Sequence, residues 1–332
     1  MSDARPVKVC IDAMGGDHAP DAVLAGIIPA LDADATLGIL LTGPPDVVEP
    51  FADARPGRVV AVPTTEIITM DEHPASAVRT KRDSSMVVGA RLVKEGRADA
   101  FFSAGSTGAA MAAATLIMGR MTGVSRPAIA TVLPTSGSPV VLLDAGANAD
   151  CRPENLLQFA IMGTAYASVV LGVENPRVGL VNIGGEPSKG SQLAIETYGL
   201  LAEAVPGFVG NLEPNHLLDG MVDVAVTDGF TGNVILKLLE GTSRTLLEQL
   251  RDAMTSSTLR KAAAAIVKPE LVRLRSRLDP ENYGGAPLLG VNGVCIVGHG
   301  SSTDRAVTAA VGVAARAVRG GLMERIAASL SV

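Results

Sequence analysis

VKVCIDAMGGD, residues 7–17, joins a short apolar run to a turn in which two glycines stand between aspartates. The same order of residue types returns six more times, and a stretch with helical spacing follows each turn. The other segments are LGILLTGPPD (37–46), DAFFSAGSTGA (99–109), VVLLDAGAN (140–148), VGLVNIGGEPSKG (178–190), VDVAVTDGFTGN (222–233) and VCIVGHGSS (294–302). Short apolar runs that alternate with helices are typical of strands covered on both faces. The sequence therefore predicts an α/β fold, with a mostly parallel sheet and helices on both faces.

Length and composition set limits on organisation and partners. The chain has 332 residues, of which 47% are hydrophobic and 19% charged, as expected for a folded protein with a large core. We expect one α/β catalytic unit over residues 1–332, with room for two lobes. The net charge of -6 and the pI near 5.3 argue against a nucleic-acid partner, which requires a basic surface. Without a signal peptide or an apolar run of ~20 residues, the chain is expected to be cytoplasmic.

The sequence predicts no metal site and no cofactor. The three cysteines and four histidines are dispersed, whereas a zinc site needs pairs at short spacing. Residues 189–191 read Lys-Gly-Ser, which reverses the Gly-Lys-Ser order of a P-loop. No predicted strand is followed by the GxGxxG pattern of a nicotinamide-dinucleotide site.

Residues 238–280 follow a different pattern. Leu246, Leu250 and Met254 recur at helical spacing, and Pro269 is expected to interrupt the pattern before apolar residues resume. This spacing predicts a helical hairpin that projects from the sheet. Between residues 260 and 277 the one acidic residue, Glu270, is set against six basic residues: Arg260, Lys261, Lys268, Arg273, Arg275 and Arg277. The hairpin is interpreted either as a solvated helix pair or dimer contact, or as a docking face for an acidic protein or an anionic membrane.

The turns are the candidate site. Ligands of parallel sheets bind beyond the carboxyl ends of the strands, so we expect the polar turn residues to share one edge and to converge on an anion pocket. The alternative is that each glycine, taken singly, serves only to let the chain turn. The candidate substrate-binding residues outside residues 103–109 are Asp12, Gly15, Gly16, Asp17, Arg79, Lys81, Ser84, Ser85, Asn148, Asn182, Gly184, Asp228, Gly229 and Thr231.

SAGSTGA, residues 103–109, ends a predicted strand and opens a helix. Backbone N–H groups at a helix N-terminus bind phosphate well where glycines let the anion approach. The candidates in this turn are Ser103, Gly105, Ser106, Thr107 and Gly108, although the hydroxyls are equally suited to capping the helix. Lys189 also lies at a helix start, where a cation is unfavourable unless an anion is bound; the alternative is an ordinary surface lysine.

Three residues are candidates for catalysis. The Asn233 amide is suited to donating to an oxyanion, and Lys189 supplies positive charge. His299 is open to three roles, namely acid, oxyanion donor or turn histidine. Asp228 is expected to hold Lys189, a backbone amide or a helix end rather than to act as a base. Because no serine or cysteine stands in a GxSxG turn, direct attack by a bound substrate is favoured.

Taken together, these segments resemble the phosphate acyltransferases of bacterial phospholipid synthesis. The resemblance also includes MDEHPASAVRTKRDSSM (70–86) and NYGGAPLLGVNGVCIVGHGSS (282–302), and it runs from end to end. It implies a fold similar to isopropylmalate dehydrogenase and phosphotransacetylase, and acyl transfer from acyl carrier protein to inorganic phosphate. It further implies a homodimer at the inner membrane surface, near the membrane-bound glycerol-3-phosphate acyltransferase. Ser191 departs from the family pattern, in which asparagine is common at that position.

The hypothesis is that phosphate, held by residues 103–109, Lys189 and either Arg79 or Lys81, attacks the thioester carbonyl. Asn233, with Lys189 or His299, would stabilise the oxyanion while the thiolate leaves. Two alternatives remain open: a phosphotransacetylase-like enzyme that uses coenzyme A, and a non-catalytic protein that binds a phosphate ligand. A dehydrogenase of the same fold group is disfavoured, because such enzymes need clustered metal-binding aspartates.

Overall fold

A computed structural model describes residues 5–135, 137–277 and 280–330, without the side chains of residues 259, 262, 263 and 274–280. The described strands form one sheet in the order β3-β2-β1-β4-β11-β10-β5-β6-β9-β7-β8. They are β1 (Val7–Asp12), β2 (Leu37–Gly43), β3 (Val59–Pro63), β4 (Ala100–Ser103), β5 (Ala128–Leu133), β6 (Val140–Leu143), β7 (Val178–Val181), β8 (Phe208–Leu212), β9 (Val224–Val226), β10 (Ala286–Leu289) and β11 (Val294–Val297).

Helices cover both faces of this sheet. They are α1 (Asp21–Ala33), α2 (Pro45–Asp53), α3 (Pro74–Thr80), α4 (Ser85–Lys94), α5 (Thr107–Ala113), α6 (Pro153–Val170), α7 (Gln192–Ala204), α8 (Gly229–Thr255), α9 (Thr258–Arg277), α10 (Asp304–Arg319) and α11 (Leu322–Leu330). Alternation along β1 explains the two layers. Val9 and Ile11 face a core shared with α1, α6 and α10, whereas Cys10 faces a core built with α4 and α5.

Each of the seven repeated segments contains a strand that ends where its glycine-rich turn begins, and a helix follows each turn. The predicted α/β class, with a mostly parallel sheet and helices on both faces, is confirmed. Strands β3, β5, β8 and β10 lack the combination of a glycine-rich turn and a following helix, and they were not predicted. Two of them, β5 and β10, are the strands that pair antiparallel with their neighbours.

These antiparallel pairings divide the parallel strands into two groups. The pairs β11–β10, β10–β5 and β5–β6 are antiparallel in succession, so β6, β9, β7 and β8 run opposite to β3, β2, β1, β4 and β11. The carboxyl ends of the two groups therefore lie at opposite edges of the sheet. The prediction that all seven turns share one edge is wrong, because it assumed that the sheet between them is parallel throughout.

Helices α8 and α9 form the predicted hairpin, but the turn lies elsewhere. It falls at residues 256–257, where the Ser256 hydroxyl donates to the Ala253 carbonyl (3.0 Å) and the Ser257 hydroxyl accepts from the Arg260 N–H (3.3 Å). Pro269 lies inside α9, so the prediction that it interrupts the helical pattern is wrong. The Ser256 and Ser257 hydroxyls bond to backbone groups that are left without helical partners at the turn between the two helices.

The hairpin is exposed over most of its length. Leu246 is 60% exposed and Ile266 is 81% exposed, which is unusual for aliphatic side chains on the surface of a folded chain. Arg260, Lys261, Lys268 and Arg273 are also exposed, and Arg273 pairs with Glu270 at 2.6 Å. The side chains of Arg275 and Arg277 lie outside the described residues. Within the described chain no single helix could cross a membrane, and the bent pair α10–α11 meets that test on length and composition alone.

Candidate active site

The turns after β1, β4 and β11 touch one another and form the first loop cluster, residues 12–17, 103–108 and 298–302. The Asp17 N–H donates to the Gly300 carbonyl at 2.7 Å. A Cβ atom built on Gly15 would lie 2.8 Å from the Gly105 nitrogen and 2.9 Å from the Ser103 hydroxyl. Any side chain at residue 15 would therefore push the turns apart, so glycine is required here by close packing.

A buried carboxylate organises this first cluster. Asp12 is 2% exposed and accepts hydrogen bonds from the Ser103 hydroxyl (2.8 Å), the Met14 N–H (3.1 Å) and the Ser85 hydroxyl. Burial raises the pKa of Asp12, and the bonds from Ser85 and Ser103 oppose that effect. The Ser103 oxygen also accepts from the Gly105 N–H at 3.1 Å. The Asp12 carboxylate thus fixes the position of the turn after β4.

Most other polar residues near this cluster already have partners. The Ser106 hydroxyl caps α5 by accepting from the Ala109 N–H (3.4 Å), and Ser84 caps α4 in the same way. The Lys81 ammonium lies 2.7 Å from a Glu72 carboxylate oxygen, and it also donates to a backbone carbonyl. His299 lies on the exposed surface with Nδ1 2.8 Å from the Ser301 hydroxyl. Exposed residues of this region include Asp17, Arg79 and Thr107.

The turns after β6, β7 and β9 form the second loop cluster, residues 144–148, 182–191 and 227–233. At its centre is Asp144, which is fully buried. Its carboxylate accepts from the N–H groups of Ile129, Gly146, Ala147 and Asn148 and from the Asn148 side-chain amide, at 2.7 to 3.2 Å. Burial raises the pKa of Asp144, and these N–H donors counteract the rise. This carboxylate locks the turn after β6 against the start of β5.

The same turn fixes the start of α8. The Gly229 N–H donates to the Asn148 carbonyl at 2.8 Å, and a Cβ atom on Gly229 would lie 2.7 Å from an Asp144 carboxylate oxygen. A Cβ atom on Gly232 would overlap the Asp144 carbonyl oxygen. Asn233 follows directly, and its side chain lies beside Gly146. The position of the Asn233 amide therefore depends on Asp144.

The glycine-rich turn after β7 is held closed by Asn182. The Asn182 amide donates to the Lys189 carbonyl at 2.9 Å, and its oxygen accepts from the Ile183 N–H at 2.8 Å. Gly190 has φ +96°, and the Asn182 amide fills the space that a side chain there would need. The Lys189 stem packs beside Gly184, with Cγ 3.2 Å from the place of a Cβ atom. The direction in which the Lys189 side chain leaves the turn is therefore set by Asn182, Gly184 and Gly190.

The polar side chains of this cluster that are available to a ligand include those of Lys189 and Asn233. Lys189 and Asn233 are both exposed, and within the described part of the chain neither side chain has a hydrogen-bond or ion-pair partner. Asp228, in contrast, accepts from the Thr231 N–H (2.9 Å) and hydroxyl (2.8 Å) as the N-cap of α8. Of the roles considered for Asp228, holding a backbone amide and holding a helix end are both confirmed, and within the described chain it does not pair with Lys189.

A cavity of about 220 Å³ lies within the second loop cluster. Its lining includes Gly190 and Ser191 at the start of α7, and Asp228 and Thr231 at the start of α8. Ser191 caps α7 by accepting from the Ala194 N–H at 3.3 Å. The N-termini of α7 and α8 therefore both open toward one cavity, and each contributes a partial positive charge.

The structure thus brings together only part of the predicted site. Asn148, Asn182, Gly184, Lys189, Asp228, Gly229, Thr231 and Asn233 belong to the second loop cluster. Asp12, Gly15, Gly16, Asp17, Ser103, Gly105, Ser106, Thr107, Gly108 and His299 belong to the first, with Ser84, Ser85, Arg79 and Lys81 on the helices beside it. Asp144 was missed, although an aspartate directly after an apolar run is the same signal that selected Asp12.

Comparison with known proteins covers almost the whole chain. A family model described as "Fatty acid synthesis protein" matches residues 7–325. The chain is 47% identical over 323 residues to a phosphate acyltransferase of Desulfitobacterium hafniense (strain DSM 10664 / DCB-2), covering 96% of each. It is 46% identical over 307 residues to the phosphate acyltransferase of Bacillus subtilis (strain 168), covering 92% of each.

Solved structures resemble the chain in fold. The EutD phosphotransacetylase from Staphylococcus aureus superposes with a TM-score of 0.59 at 16% identity, covering 94% of each chain. A phosphotransacetylase from Streptococcus pyogenes gives a TM-score of 0.59 at 18% identity, again covering 94% of each. The predicted phosphotransacetylase-like fold is confirmed.

Proposed function

The chain belongs to the fatty acid synthesis protein family of phosphate acyltransferases and transfers an acyl group to phosphate, and we propose that the donor is a fatty acyl thioester of acyl carrier protein. We place the reaction at the second loop cluster. The observation that carries this placement is the exposed, unpaired Lys189 beside a cavity onto which two helix N-termini open. Lys189 and two helix N-termini, set against the one carboxylate of Asp228, favour an anion such as phosphate at this mouth.

The mechanism uses positioning and charge. A phosphate oxygen held by Lys189 and the N-termini of α7 and α8 attacks the thioester carbonyl carbon, and a new C–O bond forms. The Asn233 amide donates to the oxyanion of the tetrahedral intermediate, which then collapses with cleavage of the C–S bond. The thiolate leaves and takes a proton from solvent; a thiol of pKa ~8.5 needs little acid assistance. Asn148, Asn182, Gly184, Gly229 and Thr231 shape this site.

The first loop cluster has a supporting part in this proposal. The Ser103 and Ser106 hydroxyls and the neighbouring Lys81 are engaged by Asp12, by a helix cap and by Glu72, which leaves backbone N–H groups, the exposed Thr107 hydroxyl and Arg79 to bind an anion. We propose that residues 12–17, 103–108 and 298–302, with the neighbouring Arg79, bind a further part of the substrate. His299 is assigned there as a polar contact and not as the acid.

The hairpin is proposed as the surface that meets acyl carrier protein. That partner is acidic, and Arg260, Lys261 and Lys268 are exposed along α9. The exposed Ile266 and Val267 lie among these basic residues, an arrangement that also suits an anionic membrane surface. We also propose that the protein is a homodimer. It would bind peripherally to the inner membrane, near the membrane-bound glycerol-3-phosphate acyltransferase.

The test is thiol release in the presence of phosphate. Purified protein is mixed with palmitoyl acyl carrier protein or palmitoyl coenzyme A, and free thiol is measured with and without phosphate. We expect release that depends on phosphate and is faster with the carrier protein. A faster reaction with coenzyme A would favour the phosphotransacetylase-like alternative. No release with either donor would contradict the function, as expected for a non-catalytic protein that only binds a phosphate ligand.

A further inference from the structure

The cavity in the second loop cluster is mostly apolar. Leu156 of α6, Leu180 of β7 and Leu193 of α7 line it, together with Ala194 and Pro214. Leu156 and Leu180 are 2% and 1% exposed, so these walls belong to the packed core. The volume of about 220 Å³ far exceeds the ~10–15 Å³ that one water molecule needs. The space is therefore large enough for a string of several methylene groups.

The chemistry of the walls limits what this cavity can hold. Among the described residues that line it none is cationic, and the one acidic residue, Asp228, is engaged by Thr231. A phosphate group inside would lose its hydration without a charged partner. The amides of a pantetheine arm would face aliphatic side chains, at a cost of ~1–3 kcal/mol for each unpaired group. A hydrocarbon chain has no polar group to satisfy.

The polar rim of the cavity lies on the side where the reaction is placed. Gly190 and Ser191, which border the cavity, stand directly after Lys189. A thioester carbonyl at this rim would lie close to Lys189, with its acyl chain directed inward. Resting on the proposed function, we infer that this cavity is the acyl-chain pocket and that Leu193 and Ala194, on the first turn of α7, limit the length of chain it accepts.

A chain-length series tests this inference. Acyl carrier protein loaded with straight acyl groups of two to sixteen carbons is assayed with phosphate, and kcat/KM is plotted against length. Each buried methylene is expected to raise kcat/KM about four-fold until the pocket is full, which corresponds to about 0.8 kcal/mol. The variant Ala194→Phe fills the pocket, so its ratio of kcat/KM for long over short donors should fall about ten-fold or more.

Ile195→Phe is the matched control, because residue 195 is the next on α7, is 40% exposed and does not line the cavity. Its long-to-short ratio should equal that of the unsubstituted protein. Ala194→Leu is a milder second variant, to be used if Ala194→Phe does not fold. An unchanged ratio in a folded residue-194 variant, or equal losses at every length, would overturn the inference. In either case phosphate-dependent thiol release by the unsubstituted protein would still stand, so the proposed function is tested separately.

Discussion

Replacing Asn233 with alanine is expected to lower kcat for acyl-phosphate formation by about 10²–10³-fold, the usual effect of removing one oxyanion donor. The amide is exposed and unpaired in the described chain, so its loss leaves no buried group unsatisfied. The melting temperature should therefore change little. Initial rates at saturating donor and phosphate measure the effect.

Gln249→Ala is the control for this substitution. It removes a similar amide from an exposed position on the same helix, more than four turns from Asn233. We expect its kcat to match that of the unsubstituted protein. If Asn233→Ala retained normal kcat while KM for the donor rose, Asn233 would bind the ground state and the oxyanion role would be excluded.

The second large effect concerns stability. Asp144→Ala should lower the free energy of unfolding by about 4 kcal/mol or more, because it leaves the buried N–H groups of Ile129 and Asn148, and the N–H groups of residues 146 and 147, without an acceptor. The start of α8 packs directly on Asp144, so activity should fall as well. Urea unfolding followed by circular dichroism measures the loss.

Asp150→Ala is the matched control, because it removes an exposed carboxylate a short distance along the same loop. Its unfolding free energy should change by less than about 0.5 kcal/mol. A loss below about 1 kcal/mol in Asp144→Ala would show that water or a rearranged turn replaces the carboxylate, and that Asn233 does not depend on it for its position.

The sequence was most informative where structure is local. An apolar run followed by a glycine turn identified seven strands. Both signals are local, because the burial of a strand and the backbone freedom of glycine depend on residues that are adjacent in the sequence. Strands β5 and β10 were missed because each is followed, after six and four residues respectively, by an antiparallel strand, β6 or β11, and not by a helix. The prediction of a shared edge failed for this reason.

The candidate site was likewise predictable only where the signal is local. Lys189 and Asn233 were selected by residue type and turn context, and both are exposed at one loop cluster. Asp12 and Asp144 each follow an apolar run in the same way, so sequence alone could not show that both are buried and hydrogen-bonded rather than open to substrate. The partner of a buried carboxylate is set by tertiary packing, as the bond from Ile129 to Asp144 illustrates.

The location of the reacting phosphate is best tested by the KM for phosphate in two variants, Lys189→Met and Ser106→Ala, with Lys94→Met at the far end of α4 as control. Loss of a charge-assisted contact from Lys189 should raise this KM about ten-fold or more. The other two variants should stay within about two-fold of the unsubstituted protein. An unchanged KM in Lys189→Met, together with a large rise in Ser106→Ala, would place phosphate at the first loop cluster and contradict the mechanism.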